Sequence, residues 1–380
     1  MKRNLISLLL LAALLFSYAE AEACTAAVVA AKVSQEGGTI LWKNRDSSHH
    51  RTSVHYFTSK KYAYTGIVTT SKPDAGVFCG VNEVGFGIIN TASSNLPENI
   101  ELKGTGSRAP FMRDALINCS TVDEFEEFVK QYKRGCTFTT NVGVGDANGE
   151  AAFFEIWGHG YRRYDIDKTE KGYAFRSNFS FAGDMEKISR SKRRYDAMLE
   201  LAEGKTSFSA RDFYDFARTY YVAGTGNALE NDDKLWDHHF ETVPHHSTVG
   251  TFMVICGKHP RILVSMGHPV ASPAIPVWVE AKDCIPECLR GQAAHDLGRR
   301  FTTAAYVKQG TYKSKGKKKD RYYLNKPLVR AALKVKSKLP FPEVMPKNID
   351  KFNRKADKAF IKHERKIDAV IARYGVGGNR

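Results

Sequence analysis

The sequence predicts an α+β protein with an export leader, and three observations predict it. Short apolar runs flanked by turn-forming residues come in consecutive pairs across residues 25–266, the signature of antiparallel hairpins. Stretches of helical period separate some of these pairs and dominate residues 301–380. Ahead of the first pair, Lys2 and Arg3 precede an apolar run at 5–16, and Ala21-Glu22-Ala23 supplies a small-x-small cleavage site.

Cleavage after Ala23 makes Cys24 the first residue of an exported chain, periplasmic or extracellular in destination. A terminal cysteine carries its thiol beside its own α-amine, whose pKa of roughly 7.7–8.0 lets it accept a proton near neutrality. Nucleophile and base then reside in one residue. Residues 25–33 are rich in Ala and Val, 35–38 are turn-forming and 39–44 are apolar again, so the segment reads as a hairpin. A turn centred between Gln35 and Glu36 sets residues whose numbers sum to about 71 opposite each other, which brings Cys24 to the Asp46 region. Alternation along the second strand puts Asn44 and Asp46 on one face, Lys43 and Arg45 on the other.

A Cys24-Thr25 terminus followed by a hairpin ending in Lys43-Asn44-Arg45-Asp46 resembles the choloylglycine hydrolase, penicillin acyltransferase and acid ceramidase group of N-terminal nucleophile (Ntn) hydrolases. The resemblance covers residues 24 to about 279 and implies the four-layer αββα sandwich of the Ntn-hydrolase fold. It also implies a linear-amide hydrolase in which Asp46 holds the protonated terminal amine. Bile-salt hydrolases and acid ceramidases have Arg where this chain has Lys43, a point charge without the planar guanidinium fork.

Residues 77–82 and 86–91 flank a tight turn and form a second hairpin, with Asn90 near its outgoing end. The resemblance makes Asn90 an oxyanion-hole amide. Local sequence supports equally a strand-terminal asparagine entering a loop. Thr121-Val122-Asp123-Glu124 is a capping box opening a packing helix, and 137–144 with 151–157 form another strand pair turned by residues 146–149. Residues 173–178 are similar to the strand that delivers a second asparagine to the terminal amine, which gives Asn178 that role; Asn178-Phe179-Ser180 also fits a glycosylation sequon. In the helix at 189–202, Ser191-Lys192-Arg193-Arg194 is similar to the group's Ser-x-x-Arg segment and ties Arg194 to the active site, against the reading of a solvated basic face. Strands at 248–256 and 261–266 close the core.

Three function classes are narrowed by composition. An apolar fraction of 42% with 22 Phe and 17 Tyr describes a folded protein, and no second apolar run spans a bilayer. Setting Cys24 aside leaves six cysteines, of which Cys284 and Cys288 read as a disulfide or free thiols. Their C-x3-C spacing is metal-like, but no second ligand pair lies nearby at zinc spacing, and no acidic motif accompanies the adjacent pairs His238-His239 and His245-His246, so no metal and no cofactor is expected, and the histidines read as surface or substrate-channel residues. Residues 301–380 hold 22 Lys and Arg against 6 Asp and Glu, whereas residues 1–300 balance at 35 against 35. The whole net charge of +16 thus belongs to a mostly helical extension appended to the 24–300 domain, with 308–321 as a Lys- and Gly-rich linker. That extension reads as packed on the body with a solvated face; contact with an anionic surface is open to it, and nucleic acid is not expected.

The expected partner is a small-molecule amide, cleaved through an acyl-thioester on Cys24. Acyl transfer from the same intermediate is an alternative, and a surface lipoprotein lipidated on Cys24 is another. Residues 58–75 and 95–108 are the segments expected to set specificity. Which acyl group and amine they select, and the oligomeric state, stay open.

Overall fold

The computed structural model describes residues 24–47, 51–97, 107–132, 138–158, 160–188, 191–235, 241–314, 317–337 and 339–375. The expected leader at 1–23, residues 98–106 of one expected specificity segment, Cys136, His238 and His239 lie outside the described residues.

The first hairpin forms where the apolar runs predict it, as β1 (Thr25–Val29) and β2 (Ile40–Asp46), but in another register. Thr25 faces Asn44 and Val29 faces Ile40, so opposing numbers sum to 69 instead of 71. The connection is the cause: a 3-10 turn at Ala31–Val33 and a bridge from Ser34 to Phe208 replace the tight turn expected at 35–38. A slip of two preserves the faces, because side chains alternate with period two. One further step of the ladder sets Cys24 level with Arg45, so the terminus still meets the Asp46 region, one residue from the expected partner.

The chain next builds an antiparallel meander of seven strands: β3 (Thr52–Phe57), β4 (Tyr64–Thr69), β5 (Cys79–Asn82), β6 (Gly87–Ala92), β7 (Thr140–Gly145), β8 (Ala151–Trp157) and β9 (Gly160–Asp165). Between β6 and β7 run α1 (Arg108–Asn118) and α2 (Val122–Gln131). Thr121 caps α2 by accepting from the Glu124 N–H at 3.1 Å. The returning Glu124 carboxylate binds Ser120 one residue ahead of the cap, at 2.7 Å from its N–H, so the capping box closes on its neighbour.

The chain then re-enters the first sheet. β10 (Tyr173–Arg176) pairs with β1. After α3 (Ser191–Leu201), α4 (Ala210–Phe216) and a short ladder of β11 (Tyr221–Val222) with β12 (Asn227–Ala228), β13 (Thr248–Ile255) pairs with β2. With β14 (Arg261–Met266) and β15 (Ile275–Trp278) the six-stranded order is β10-β1-β2-β13-β14-β15.

Alternation sorts these strands into four layers. Ala26, Val28 and Leu41 meet Ile89, Val81 and Phe153 between the sheets. Trp42, Val29 and Met253 turn outward onto Met198 and Phe213 of α3 and α4. Phe86, Ile88 and Phe154 turn outward from the meander onto Phe111 and Phe125 of α1 and α2. The order is therefore α, β, β, α, the sandwich that the resemblance implies. Gly143 lets the sheets approach, since a Cβ there would lie 2.7 Å from Val28 Cγ2.

The C-terminal residues add α5 (Glu287–Arg290), α6 (Ala293–Ala305), β16 (Tyr306–Ser314), β17 (Lys317–Leu324), α7 (Lys326–Leu333) and α8 (Ile349–Tyr374). The expected linker at 308–321 is instead a β-hairpin, bulged between Lys308 and Thr311. Its lysine content hid a strand pair whose base is apolar, with Tyr306 opposite Leu324 and both buried. Residue 300 falls inside α6, and Phe301, Leu328, Phe360 and Ile367 belong to the same core cluster as the inter-sheet residues.

Candidate active site

Strand β2 directs its polar residues to two sides. Lys43 points between the sheets, 1% exposed, and donates to Asn90 Oδ1 at 2.6 Å and to the Phe78 carbonyl at 3.2 Å. Arg45 stacks its guanidinium 3.8 Å over the Phe78 ring. An ammonium can only donate, so the Asn90 amide oxygen is fixed toward Lys43. Its N–H₂ group is thereby turned away from Lys43 as a donor, with a contact to Thr140 Oγ1 at 3.4 Å.

Asn44 and Asp46 leave the strand on the other side. Asn44 Nδ2 donates to the Val243 carbonyl at 3.1 Å and to Asp46 Oδ1 at 3.2 Å. The ladder between β2 and β13 is irregular between Thr248 and Gly250, next to Asp46. Such a bulge re-aims side chains, and Thr248 Oγ1 donates to Asp46 Oδ1 at 2.6 Å. His245 Nε2 stands 3.0 Å from Asp46 Oδ2, close enough for an ion pair once the ring is protonated.

The third strand of the site arrives through β10. Ala26 faces Arg176 in that ladder, so two further steps set Cys24 opposite Asn178. The Cys24 nitrogen donates to Asn178 Oδ1 at 2.8 Å. In the unprocessed chain this atom is a peptide nitrogen, and it stands in for the α-amine that leader cleavage would create. Arg194, buried on α3, donates to the same oxygen at 2.6 Å, which fixes the amide orientation because guanidinium cannot accept. Asn178 Nδ2 donates to the Ala92 carbonyl at 3.1 Å, and Ser94 holds the Asn178 carbonyl through its N–H at 3.1 Å. With Ser180 fully buried and the Asn178 amide engaged at both ends, the sequon reading does not apply to the folded protein.

Burial pushes the Arg194 pKa down from its ordinary value, while the charges of Asp46 and, more weakly, Cys24 oppose that shift. The attraction is mutual, so the guanidinium favours a thiolate at Cys24. The solvated-face reading of Arg194 is therefore corrected. Cys24, Asn178, Arg194 and Asp46 form one electrostatic group, and Lys43 with Asn90 forms a second between the sheets.

His245 is the residue sequence reasoning missed. It was expected at the surface or in a channel, but is 1% exposed. His246 is half-buried and stacks on Tyr322 with ring centres 4.9 Å apart. Behind His245 lie His268, Tyr220 and Tyr306, joined by contacts of 3.1 Å between His268 Nε2 and Tyr306 Oη and 2.8 Å between the two hydroxyls. Burial first, and the neighbouring His245 second, lower the His268 pKa to about 3, so this ring is neutral.

Among the described residues Cys79, Cys119, Cys256, Cys284 and Cys288 are free thiols, which decides between the two readings of Cys284 and Cys288. Burial pushes the Cys79 thiol up to about 12 and the Cys256 thiol well above its usual range, so both behave as small apolar groups. Cys284 donates to Asp350 Oδ1 at 3.0 Å. Among the described residues no group of His, Cys, Asp and Glu is arranged to hold a metal ion, and no helix is long and apolar enough to cross a membrane.

Comparison with solved structures returns an N-acylethanolamine-hydrolyzing acid amidase ortholog from Caenorhabditis elegans at 16% identity and TM-score 0.40, covering 61% of this chain and 92% of that one. A variant of the conjugated bile acid hydrolase from Clostridium perfringens follows at 14% identity and TM-score 0.40, covering 68% and 93%. The penicillin V acylase from Agrobacterium tumefaciens matches at 13% identity and TM-score 0.40, covering 67% and 85%. Comparison with curated proteins returns no match. Residues 33–230 match the family described as acyl-coenzyme A:6-aminopenicillanic acid acyl-transferase, and the chain belongs to that family.

Proposed function

We propose that this chain is an exported cysteine Ntn hydrolase that cleaves a linear, non-peptide amide through an acyl-thioester on Cys24. The observation that carries the reading is the hydrogen bond from the Cys24 nitrogen to Asn178, an amide that Arg194 orients. That contact sits at the position where the leader is expected to end.

Once cleavage has freed the α-amine, the Cys24 thiol passes its proton to that amine and the thiolate attacks the amide carbonyl carbon. Asn178 Oδ1 accepts from the amine and so aims its lone pair at the thiol. Arg194 favours the thiolate, and Asp46 lies within electrostatic reach of that guanidinium. Charge develops on the carbonyl oxygen, where Asn90 Nδ2, with its own oxygen tied to Lys43, serves as donor. Collapse expels the amine, which takes the proton held by the α-amine, and leaves an S-acyl Cys24. Water then adds, and the thiol leaves with the proton returned.

The family description favours keeping acyl transfer as the second reading: an amine replaces water on the same thioester. N-acylethanolamines, bile-acid conjugates and penicillin V appear in the names of the similar structures and form the starting panel of substrates. Incubation of the mature protein with that panel, followed by peptide mass mapping, should find the acyl group on the N-terminal peptide. An acyl group on another residue, or turnover that survives Cys24→Ala, overturns the mechanism. Added amine acceptors that yield new amides instead of free acid select the transferase.

A further inference from the structure

Helix α8 carries eight cations: Lys351, Arg354, Lys355, Lys358, Lys362, Arg365, Lys366 and Arg373. At about 100° per residue they all fall within an arc of about 120°, along a row about 33 Å long at 1.5 Å per residue. All eight are exposed, and among the described residues none is ion-paired.

The other two faces of the helix are committed. Ala356, Phe360 and Ile367 are buried in the core, and His363 contacts the Ala271 carbonyl through Nε2 at 2.9 Å. The four acids form a separate stripe turned toward the body. Asp350 accepts from Cys284, Asp357 from the Cys288 N–H at 2.9 Å, and Glu364 and Asp368 from Arg300 at 2.8 and 3.0 Å. These anchors stop the helix rotating, so the cationic row is held outward. Like charges at i,i+4 destabilise a helix, and Lys351 with Lys355, Arg354 with Lys358, Lys358 with Lys362 and Lys362 with Lys366 are four such pairs. Packing alone does not call for this arrangement.

We propose that this face docks the protein on the surface of an anionic lipid bilayer. A straight row confined to one arc presents all its charges to a plane at once, which is the geometry of headgroup phosphates. The apolar side of α8 is already buried, so binding is peripheral, without insertion of the helix. Among the exposed residues of α8 the aromatic one is Tyr374, which leaves no ladder for stacking nucleic-acid bases.

The test is co-sedimentation of the mature full-length protein with phosphatidylcholine vesicles, with and without phosphatidylglycerol. Binding is expected to the phosphatidylglycerol vesicles alone and to weaken steeply with salt. The variant Lys351→Gln, Lys355→Gln, Lys358→Gln, Lys362→Gln should lose about fivefold in affinity per lysine, with unchanged thermal unfolding and unchanged turnover of a soluble amide. Failure of the parent protein to bind phosphatidylglycerol vesicles at low salt overturns the proposal. So does binding that survives in the variant, or binding to duplex DNA in place of vesicles.

Discussion

Replacing Lys43 by methionine tests how the candidate oxyanion donor is held. Lys43→Met keeps the length of the side chain and deletes the ammonium that grips Asn90 Oδ1 and the Phe78 carbonyl. Two effects on stability oppose each other. Hydrogen bonds from a charged donor are worth about 1.5–3 kcal/mol each, while an ammonium taken out of water has forfeited several kcal/mol of solvation. They nearly offset, so the free energy of unfolding should move by about 1 kcal/mol or less. Catalysis has no such offset. Without Lys43 the Asn90 amide loses the donor that fixes its orientation, and loss of one oxyanion donor lowers kcat about 10²- to 10³-fold. The assay is steady-state hydrolysis of an N-acyl amide by the mature protein, with urea unfolding of the same samples, for Lys43→Met, Asn90→Ala and the double variant. If Lys43 acts through Asn90, the double variant is no slower than Asn90→Ala. Losses that multiply, or unfolding that accounts for the lost activity, refute the reasoning.

Four further outcomes follow from contacts already described. Arg194→Met removes a charged hydrogen bond from Asn178 and the cation facing buried Asp46; stability should fall by about 3 kcal/mol in urea unfolding and activity by about 100-fold or more. Tyr306→Phe deletes two hydroxyl contacts of about 1 kcal/mol each, and truncation after residue 300 should abolish folding, because fully burying Phe301, Leu328, Phe360 and Ile367 contributes about 1.5–3 kcal/mol apiece; a folded truncation by circular dichroism would contradict this. His268 has its folded pKa depressed to about 3 from an unfolded 6.5, so the unfolded state binds the proton first. Its contribution is complete above pH 6.5 and is lost as pH falls toward 3, at up to about 1.4 kcal/mol per pH unit; His268→Gln should flatten that limb of urea stability against pH.

The local parts of the site were legible because they depend on short-range patterns. Strand alternation placed Lys43 and Asn44 on opposite faces, the apolar runs located β1 and β2, and the family resemblance located β10. The hairpin register was not legible, because the ten residues between Val29 and Ile40 fold into a 3-10 turn and an excursion to Phe208, which no turn rule encodes. His245 was hidden for a different reason. It reaches Asp46 only because β13 pairs with β2 across some two hundred positions of sequence, a contact decided by tertiary packing. In β16 and β17 the lysine-rich composition masks the strand signal of the pair.

The central proposal is that Cys24 begins the mature chain with an unblocked amine and a reactive thiol. N-terminal sequencing and intact mass of the exported protein, with and without a thiol-alkylating reagent at neutral pH, test it most directly. The expected result is a chain beginning at Cys24, modified there in preference to Cys79 and Cys256, whose thiols burial keeps protonated, and losing amide turnover as the modification proceeds. A retained leader, a lipid mass on Cys24, or full turnover after its alkylation would contradict it.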